Sequence, residues 1–451
     1  MIVKGIAEGF HDASVSLVEG NEILWAKHAE RFSRKKNDRV NPLHLRNADA
    51  DVSVFYENVP LKNERRIAHS QVPLSTKIFD SCDYYLEHHE SHAAGAYYTS
   101  DFTEDVVCVV IDAIGEWTCS SIWTIESGKL KKVFEKIYPQ SIGLFYSAIT
   151  KRIGLKPNED EYITMGMAAY GEPCVDMTYC FNEWANWHKG FSLDDFKGHS
   201  AADIAASAQL HAEHEISKIM GFASNWGKNL CYAGGVALNC VANSKILPQY
   251  FDKIWIYPNP GDAGSSLGAA AAYNRNKLNF TPYLGTDIQH HVNPKIVVTQ
   301  ILKNKVVGVA NGKAEFGPRA LGNRSLLGDV RYSIKSTVNK IKKRQQFRPF
   351  APAILSEYAE EYFEGPMNKY MQFVAQAKHD YDSVTHVDNS ARVQLVTPSC
   401  NTILRPILEE YYERTGVPML LNTSLNIKGQ PIVDNWQDAM DFEKKYGVQV
   451  F

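Results

Sequence analysis

Two histidines four residues apart, His88 and His92 in Glu87-His88-His89-Glu90-Ser91-His92-Ala93-Ala94-Gly95-Ala96-Tyr97, have the residue type and spacing to hold a metal ion. The small residues that follow favour a helix start, and on a helix both imidazoles share one face. Such a pair grips a divalent ion only when carboxylates or further imidazoles join it from elsewhere in the chain. Taken alone the spacing equally describes two hydrogen-bonded histidines, because no Glu follows the first directly as in His-Glu-x-x-His.

The elements that could bring partners to the pair come from a repeated pattern. Residues 2–7, 13–19 and 22–26 read as three strands, the last two joined by Gly20-Asn21, a good hairpin signal. Residues 105–112, 119–125 and 130–134 repeat the plan with a turn at Ser127-Gly128, and Asp12 and Asp112 close or follow the first strand of each copy. A duplicated strand-hairpin-helix unit with polar first turns matches the two-lobed actin/hexokinase/heat-shock-ATPase architecture, whose turns face each other across a nucleotide cleft. Residues 229–239 form a strand ending in Gly234-Gly235, a junction that lets backbone N–H groups approach a phosphate or ribose, or simply makes a tight turn. A further strand at 254–257 leads through Pro260-Gly261-Asp262 into a small-residue helix, where Asp262 is a helix cap, a metal ligand or a nucleotide contact. Residues 141–172 and 181–226 are helical and aromatic-rich, and Trp184, Trp187 and Trp226 read as core.

With 451 residues the chain is long enough for two domains, and a linker-like stretch near 277–285 places them at 1–285 and 286–451. Its 44% hydrophobic and 22% charged residues are ordinary for a globular protein, and a net charge of −3 argues against broad coating of nucleic acid. The start of the chain runs into a strand without a signal-peptide pattern, no apolar stretch approaches bilayer length, and the eight cysteines form no Cys-x-x-Cys pair. A cytoplasmic protein with reduced thiols and no membrane partner is expected. The second domain is dense in polar motifs: Arg319 after Gly-Pro, Gly322-Asn323-Arg324-Ser325, Lys342-Lys343-Arg344, Arg348-Pro349-Phe350 and Asn422-Thr423-Ser424-Leu425-Asn426. Cations among Gly, Pro and Phe suggest charges pinned in a pocket, and Arg forks suit a phosphate.

In one order across nearly the whole chain these motifs resemble the O-carbamoyltransferases of the nodulation-protein and tobramycin-carbamoyltransferase type. The residues that carry the resemblance include His11-Asp12-Ala13-Ser14, Glu30-Arg31-Phe32-Ser33-Arg34-Lys35-Lys36, the histidine stretch, Asp112-Ala113-Ile114-Gly115-Glu116, Met165-Gly166-Met167-Ala168-Ala169-Tyr170-Gly171, Gly234-Gly235, Pro260-Gly261-Asp262 and Phe316-Gly317-Pro318-Arg319. It implies an α/β protein: an actin/hexokinase/heat-shock-ATPase-like domain followed by one like the threonylcarbamoyl-adenylate synthase. In the second, carbamoyl phosphate and Mg2+-bound ATP would give carbamoyl-adenylate and pyrophosphate; in the first, an acceptor hydroxyl would take the carbamoyl group and release AMP. The resemblance assigns His88, His92, Asp112 and Asp262 to a divalent metal, Fe2+ in this family. It leaves His11 as candidate general base and Lys36 as candidate for balancing charge near the phosphate or carbamoyl group. Gly234, Gly235, Asn239 and Asn243 would line the adenylate, and Arg319, Lys342, Arg344, Arg348, Ser424 and Asn426 the pocket for carbamoyl phosphate and ATP. A homodimer is compatible with it.

Two stretches, between Asp38 and Tyr84 and between Gly171 and Asn229, are shorter than the pattern, and Glu161-Tyr162-Ile163-Thr164 stands where Gly-Lys usually precedes Met-Gly. These segments shape the acceptor pocket. The acceptor is therefore left open between a sugar or natural-product alcohol and a hydroxymethylated pyrimidine in a nucleotide or DNA. Three short basic clusters bear on the latter: Arg34-Lys35-Lys36, Arg65-Arg66 and Lys151-Arg152. A transferase of the tRNA threonylcarbamoyl type and a non-catalytic ATP-gated binding module are the competing readings. The domain order disfavours the former, and a second phosphate pocket the latter.

Overall fold

The computed structural model describes residues 1–181 and 186–451, so Trp184 lies outside the described residues. The chain divides into two compact units, one of Met1–Ala29 with Asn37–Phe280, the other of Glu30–Lys36 with Thr281–Phe451.

In the first unit β1 (Ile2–Ala7) pairs antiparallel with β2 (Ser14–Glu19), which pairs antiparallel with β3 (Glu22–His28) across the Gly20-Asn21 turn. Beyond β1 lie β4 (Val52–Phe55) and β5 (Tyr84–Tyr85), both parallel to their neighbours. The second lobe repeats this with β6 (Val106–Ile111), β7 (Thr118–Glu126), β8 (Lys129–Ile137), β9 (Asn229–Ala233) and β10 (Lys253–Ile256). The strand orders are β3-β2-β1-β4-β5 and β10-β9-β6-β7-β8, so each sheet has its third, second, first, fourth and fifth strands in sequence. The duplication read from two hairpins is thus present in the topology, and the unit has the two-lobed actin/hexokinase/heat-shock-ATPase fold. The β7–β8 turn takes positive φ at both Ser127 (51°) and Gly128 (74°), the backbone twist that a two-residue hairpin favours.

Every residue of β6 is buried, as expected of a strand covered on both faces. The helix His88–Tyr98 packs against the helix Ser265–Asn274 so closely that a Cβ on Gly268 would stand 1.8 Å from the Ser91 carbonyl oxygen. Small residues here let backbones touch and hold the histidine helix in place. Part of the aromatic-rich stretch is core: Trp187 stacks on Phe191 at 4.4 Å and lies by Phe145 in a cluster with Ile149, Met177, Ile204 and Ala208, whereas Trp226 is half-buried with its ring 4.6 Å from that of the exposed Phe222.

The second unit contains β11 (Tyr283–Ile288), β12 (Val306–Ala310), β13 (Gly312–Glu315), β14 (Arg324–Gly328), β15 (Ala351–Leu355), β16 (Gln394–Val396) and β17 (Met419–Ser424). Its main sheet runs β12-β14-β17-β15-β16 and is mixed, with β15 and β16 parallel. Alternation along β12 sends Val307 and Val309 against the helices Pro294–Asn304 and Leu404–Thr415, while Val306 and Ala310 join the core on the opposite face. This is a mixed α/β unit, the class expected of the second domain.

Glu30–Lys36 belongs to this unit although its neighbours in sequence belong to the first. Arg34 donates to the carbonyls of Ile432 (2.8 Å) and Pro431 (3.1 Å) and stands 3.4 Å from Asp438. Contacts some four hundred residues away in sequence decide the segment's place, and no local pattern reports them.

Candidate metal and phosphate centres

In the first unit, polar side chains collect where strands end. His88 and His92 project from the first two turns of their helix, Asp112 follows β6, and Asp262 opens the turn after β10. All four are buried, and one ligand atom from each lies within 4.8 Å of all the others. The two Nε2 atoms are 3.1 Å apart, and each stands 3.1–3.5 Å from Asp112 Oδ2 and Asp262 Oδ1. Atoms spaced about 3.3 Å apart around a common centre lie roughly 2 Å from it, the reach of a metal–imidazole or metal–carboxylate bond. Two nitrogens and two carboxylates suit a divalent transition ion.

The surrounding groups fit the same purpose. If His88 Nε2 faces an ion, its Nδ1–H donates to Glu57 Oε2 at 3.2 Å, and Glu57 in turn accepts from the ammonium of Lys62. Glu57 and Lys62 are almost wholly buried. Asp112 Oδ1 accepts the N–H of Gly235 at 3.1 Å, which leaves Oδ2 for the centre, and His92 Nδ1 lies 3.4 Å from Ser265 Oγ. The N–H of His88 donates to the Glu116 carboxylate, which also accepts from Asn58 N–H, so this buried acid fixes the helix start. Partners of this kind fix ring orientation and ligand basicity. Glu57 and Lys62 are not singled out from the sequence, and Glu116 enters there only as the last residue of the Asp112–Glu116 motif. The signal for Glu57 is there, an acid just past a strand end, as with Asp112.

Burial opposes the charge on every member of the cluster, and their mutual attraction overrides it. Burial would raise Asp112 and Asp262, but the adjacent imidazoles hold both well below the usual carboxylate range. Burial would lower His88 and His92, yet the two carboxylates raise both. His89, next along the helix, is pushed well down by burial and by the His88 charge, and its Nδ1 lies 2.8 Å from Ser121 Oγ. His11 sits beside the cluster, Nδ1 2.9 Å from Asp12 and Nε2 3.7 Å from Asp262. Burial lowers it, but Asp262 and Asp12 carry it up to about 9.

The remaining residues read from the sequence divide. Gly234 has φ of 92°, and a Cβ there would meet the Ile111 carbonyl oxygen at 2.2 Å, so glycine is required by the turn itself. Asn239 caps the helix Cys240–Tyr250 through Ala242 N–H and exchanges amide hydrogen bonds with Gln209; Asn243 donates to the Ala237 carbonyl. Lys36 belongs to the second unit, where its ammonium contacts both Glu30 oxygens at 2.9 and 3.1 Å.

In the second unit Lys342, Ser424 and Asn426 meet. The buried Lys342 ammonium donates to the Ser424 carbonyl (2.5 Å), Asn426 Oδ1 (2.9 Å), the Asn426 carbonyl (3.0 Å) and Ser424 Oγ (3.3 Å), and no carboxylate forms an ion pair with it among the described residues. Burial, then the charges of Arg344 and Arg348, push it well below its ordinary value. Arg344 stacks 4.0 Å over Phe350 and donates to Asn339 Oδ1 at 2.6 Å. Arg319 lies half-buried in the loop between β13 and β14. Arg324, part of the polar set read as a pocket, is instead structural: its fully buried guanidinium donates to the carbonyls of Asp434, Thr286, Gly312 and Asn323 at 2.8–3.0 Å. Backbone carbonyls take four of its five N–H donors, so it is tied into the fold and is not presented to a phosphate.

Comparison with known proteins adds a family. Residues 61–271 match the family described as carbamoyltransferase N-terminus and residues 298–451 the one described as carbamoyltransferase C-terminus. An uncharacterised protein of Synechocystis sp. is 32% identical over 573 aligned positions, covering 97% of this chain and 93% of its own. The alignment is longer than this chain, so the relative carries segments that are absent here. Nodulation protein NolNO of Sinorhizobium fredii is 30% identical, with 95% of this chain and 76% of that one covered. Among solved structures, component A of the Acidaminococcus fermentans (R)-2-hydroxyglutaryl-CoA dehydratase aligns with a TM-score of 0.38 at 15% identity, covering 60% of this chain and 96% of that one. No described helix is long and apolar enough to cross a membrane.

Proposed function

Since the chain belongs to the carbamoyltransferase family, we propose that it is an ATP-dependent O-carbamoyltransferase working through a carbamoyl-adenylate. The observation that carries this reading is the presence of two buried clusters of opposite character. One gathers carboxylates and imidazoles, as a cation requires; the other buries an ammonium with guanidinium groups nearby, as phosphates require.

In the second unit Lys342, Ser424 and Asn426, with Arg319, Arg344 and Arg348, bind carbamoyl phosphate and the triphosphate of Mg2+-bound ATP. Water takes the phosphoryl group of carbamoyl phosphate, giving inorganic phosphate and carbamate. A carbamate oxygen attacks the α-phosphorus of ATP, the bond to the β-phosphate breaks, and pyrophosphate leaves. Lys36 balances charge near phosphate.

In the first unit His88, His92, Asp112 and Asp262 would hold a divalent ion, which we assign as Fe2+. Its chemistry there is Lewis-acid polarisation of the carbamoyl oxygen. His11 takes the proton of the acceptor hydroxyl as that oxygen bonds to the carbamoyl carbon and the bond to AMP breaks. With Asp262 engaged as a ligand, the leading attraction that raises His11 would weaken, which would favour the imidazole as a base. Gly234, Gly235, Asn239 and Asn243 line the adenylate.

Incubation with carbamoyl phosphate and ATP should release pyrophosphate and phosphate with no acceptor present. Absence of pyrophosphate would remove the adenylate route.

A further inference from the structure

The helix Val59–Ala68 carries more positive charge into the first unit than the metal cluster accounts for. Lys62 and Arg66, one turn apart, lie over the ring of Phe10, with Nζ at 4.6 Å and the guanidinium carbon at 5.9 Å. Phe10 is 37% exposed and its ring centre is 4.6 Å from that of His11. On the adjoining strip Arg65 is 2% exposed. Its Nε donates to the Glu116 carbonyl, and its Nη1 lies 3.5 Å from His188 Nε2. His69, a turn beyond Arg65, meets Tyr138 at 4.8 Å and Trp117 at 6.1 Å, and Tyr138 also meets His188 at 5.1 Å.

Lys62 has its counterion in Glu57. Among the described residues neither arginine has one: Arg65 and Arg66 form no ion pair with any carboxylate. A guanidinium buried among aromatic rings without a carboxylate is costly, and an anion from outside would offset that cost. The surplus is felt locally, since partial burial and then the charges of Arg65, His69 and Arg66 bring the His188 imidazole down to about 4. Arg forks match a phosphate bidentately, and the part-exposed Phe10 ring gives a flat ring an aromatic neighbour beside His11. A deeply set arginine admits a terminal phosphate more readily than the backbone of a duplex.

We propose that Arg65 and Arg66 form an anion subsite beside His11, and that the hydroxyl-bearing acceptor is a small phosphomonoester with a flat ring, of the nucleoside monophosphate class. This rests on the first unit being the site of transfer to the acceptor.

The test compares calorimetric binding of 5-hydroxymethyl-deoxycytidine, its 5′-monophosphate and an oligonucleotide containing the same base, each to the full-length protein. The monophosphate should bind about tenfold or more tighter than the nucleoside. Arg65→Gln should abolish that preference, and Arg65→Lys should restore part of it. Arg66→Gln, at a half-buried position that folding tolerates better, should weaken it. Equal binding of nucleoside and monophosphate, binding of neither, or a preference untouched by both glutamine variants would overturn the subsite. An oligonucleotide bound more tightly than the monophosphate would overturn the small-molecule assignment. Acceptor-free pyrophosphate release by the wild-type protein, run alongside, separates the two claims: its absence defeats the adenylate reading, whereas its presence without phosphate discrimination defeats this one alone.

Discussion

At the cluster around His88 two carboxylates face two imidazoles, whereas at Lys342 an ammonium is buried among carbonyl, amide and hydroxyl oxygens with guanidinium groups nearby. Both arrangements bury charge at a cost of several kcal/mol per ion unless it is compensated. In the first, protons on the imidazoles can stand in for a cation. In the second, neutral oxygens hold the ammonium and leave its charge uncancelled. Under the proposed function a cation would complete one cluster and an anion the other, and a shared chain would make an activated carbamoyl group with one and spend it with the other.

The sharpest way to break that contrast is to disable each side separately. Lys342→Met removes the cation proposed to gather the phosphates and should lower acceptor-free pyrophosphate release by roughly 10²- to 10³-fold, by analogy with loss of an electrostatic stabiliser. Its metal content should match wild type by elemental analysis. Glu57→Gln probes the support of the metal cluster and should weaken Fe2+ or Co2+ binding by about 10- to 100-fold in a chelator competition. It should also cost about 3–5 kcal/mol of stability in denaturant melts, because Lys62 is left buried and unpaired. Unchanged metal affinity would mean that the His88–Glu57 contact is incidental.

Gly234→Ala places a Cβ against the Ile111 carbonyl in a left-handed backbone and should lower the thermal midpoint by several degrees, with loss of metal binding secondary to the displaced Asp112. The smallest effect is expected at Arg34. Arg34→Ala should cost about 1–2 kcal/mol, seen as earlier unfolding of the second unit, since it strips hydrogen bonds from the Pro431 and Ile432 carbonyls.

Much of this was legible in the sequence where chemistry follows local pattern. The turns at Gly20-Asn21 and Ser127-Gly128 marked the hairpins, and the acids at the ends of strands marked Asp112 and Asp262 as partners for the histidines. Lys342, Ser424 and Asn426 stood out because their spacing is a motif, and they meet. What escaped depends on contacts distant in sequence. Arg324 reads like a phosphate ligand, yet four backbone carbonyls from separate segments claim it. Glu30–Lys36 joins the second unit through carbonyls near residue 432, which no window around residue 30 contains. Glu57 and Lys62 look like an ordinary acid and base flanking a helix start, and only burial beside His88 gives them a part.

The division of labour between the clusters is tested most directly by acceptor-free pyrophosphate release from carbamoyl phosphate and ATP, measured in parallel for wild type, Lys342→Met and the double variant His88→Ala/His92→Ala. Release is expected from wild type and from the double histidine variant, with carbamoyl transfer abolished in the latter, and release lowered at least about a hundredfold in Lys342→Met. Loss of release in the histidine variant, with its fold intact by circular dichroism, would contradict it.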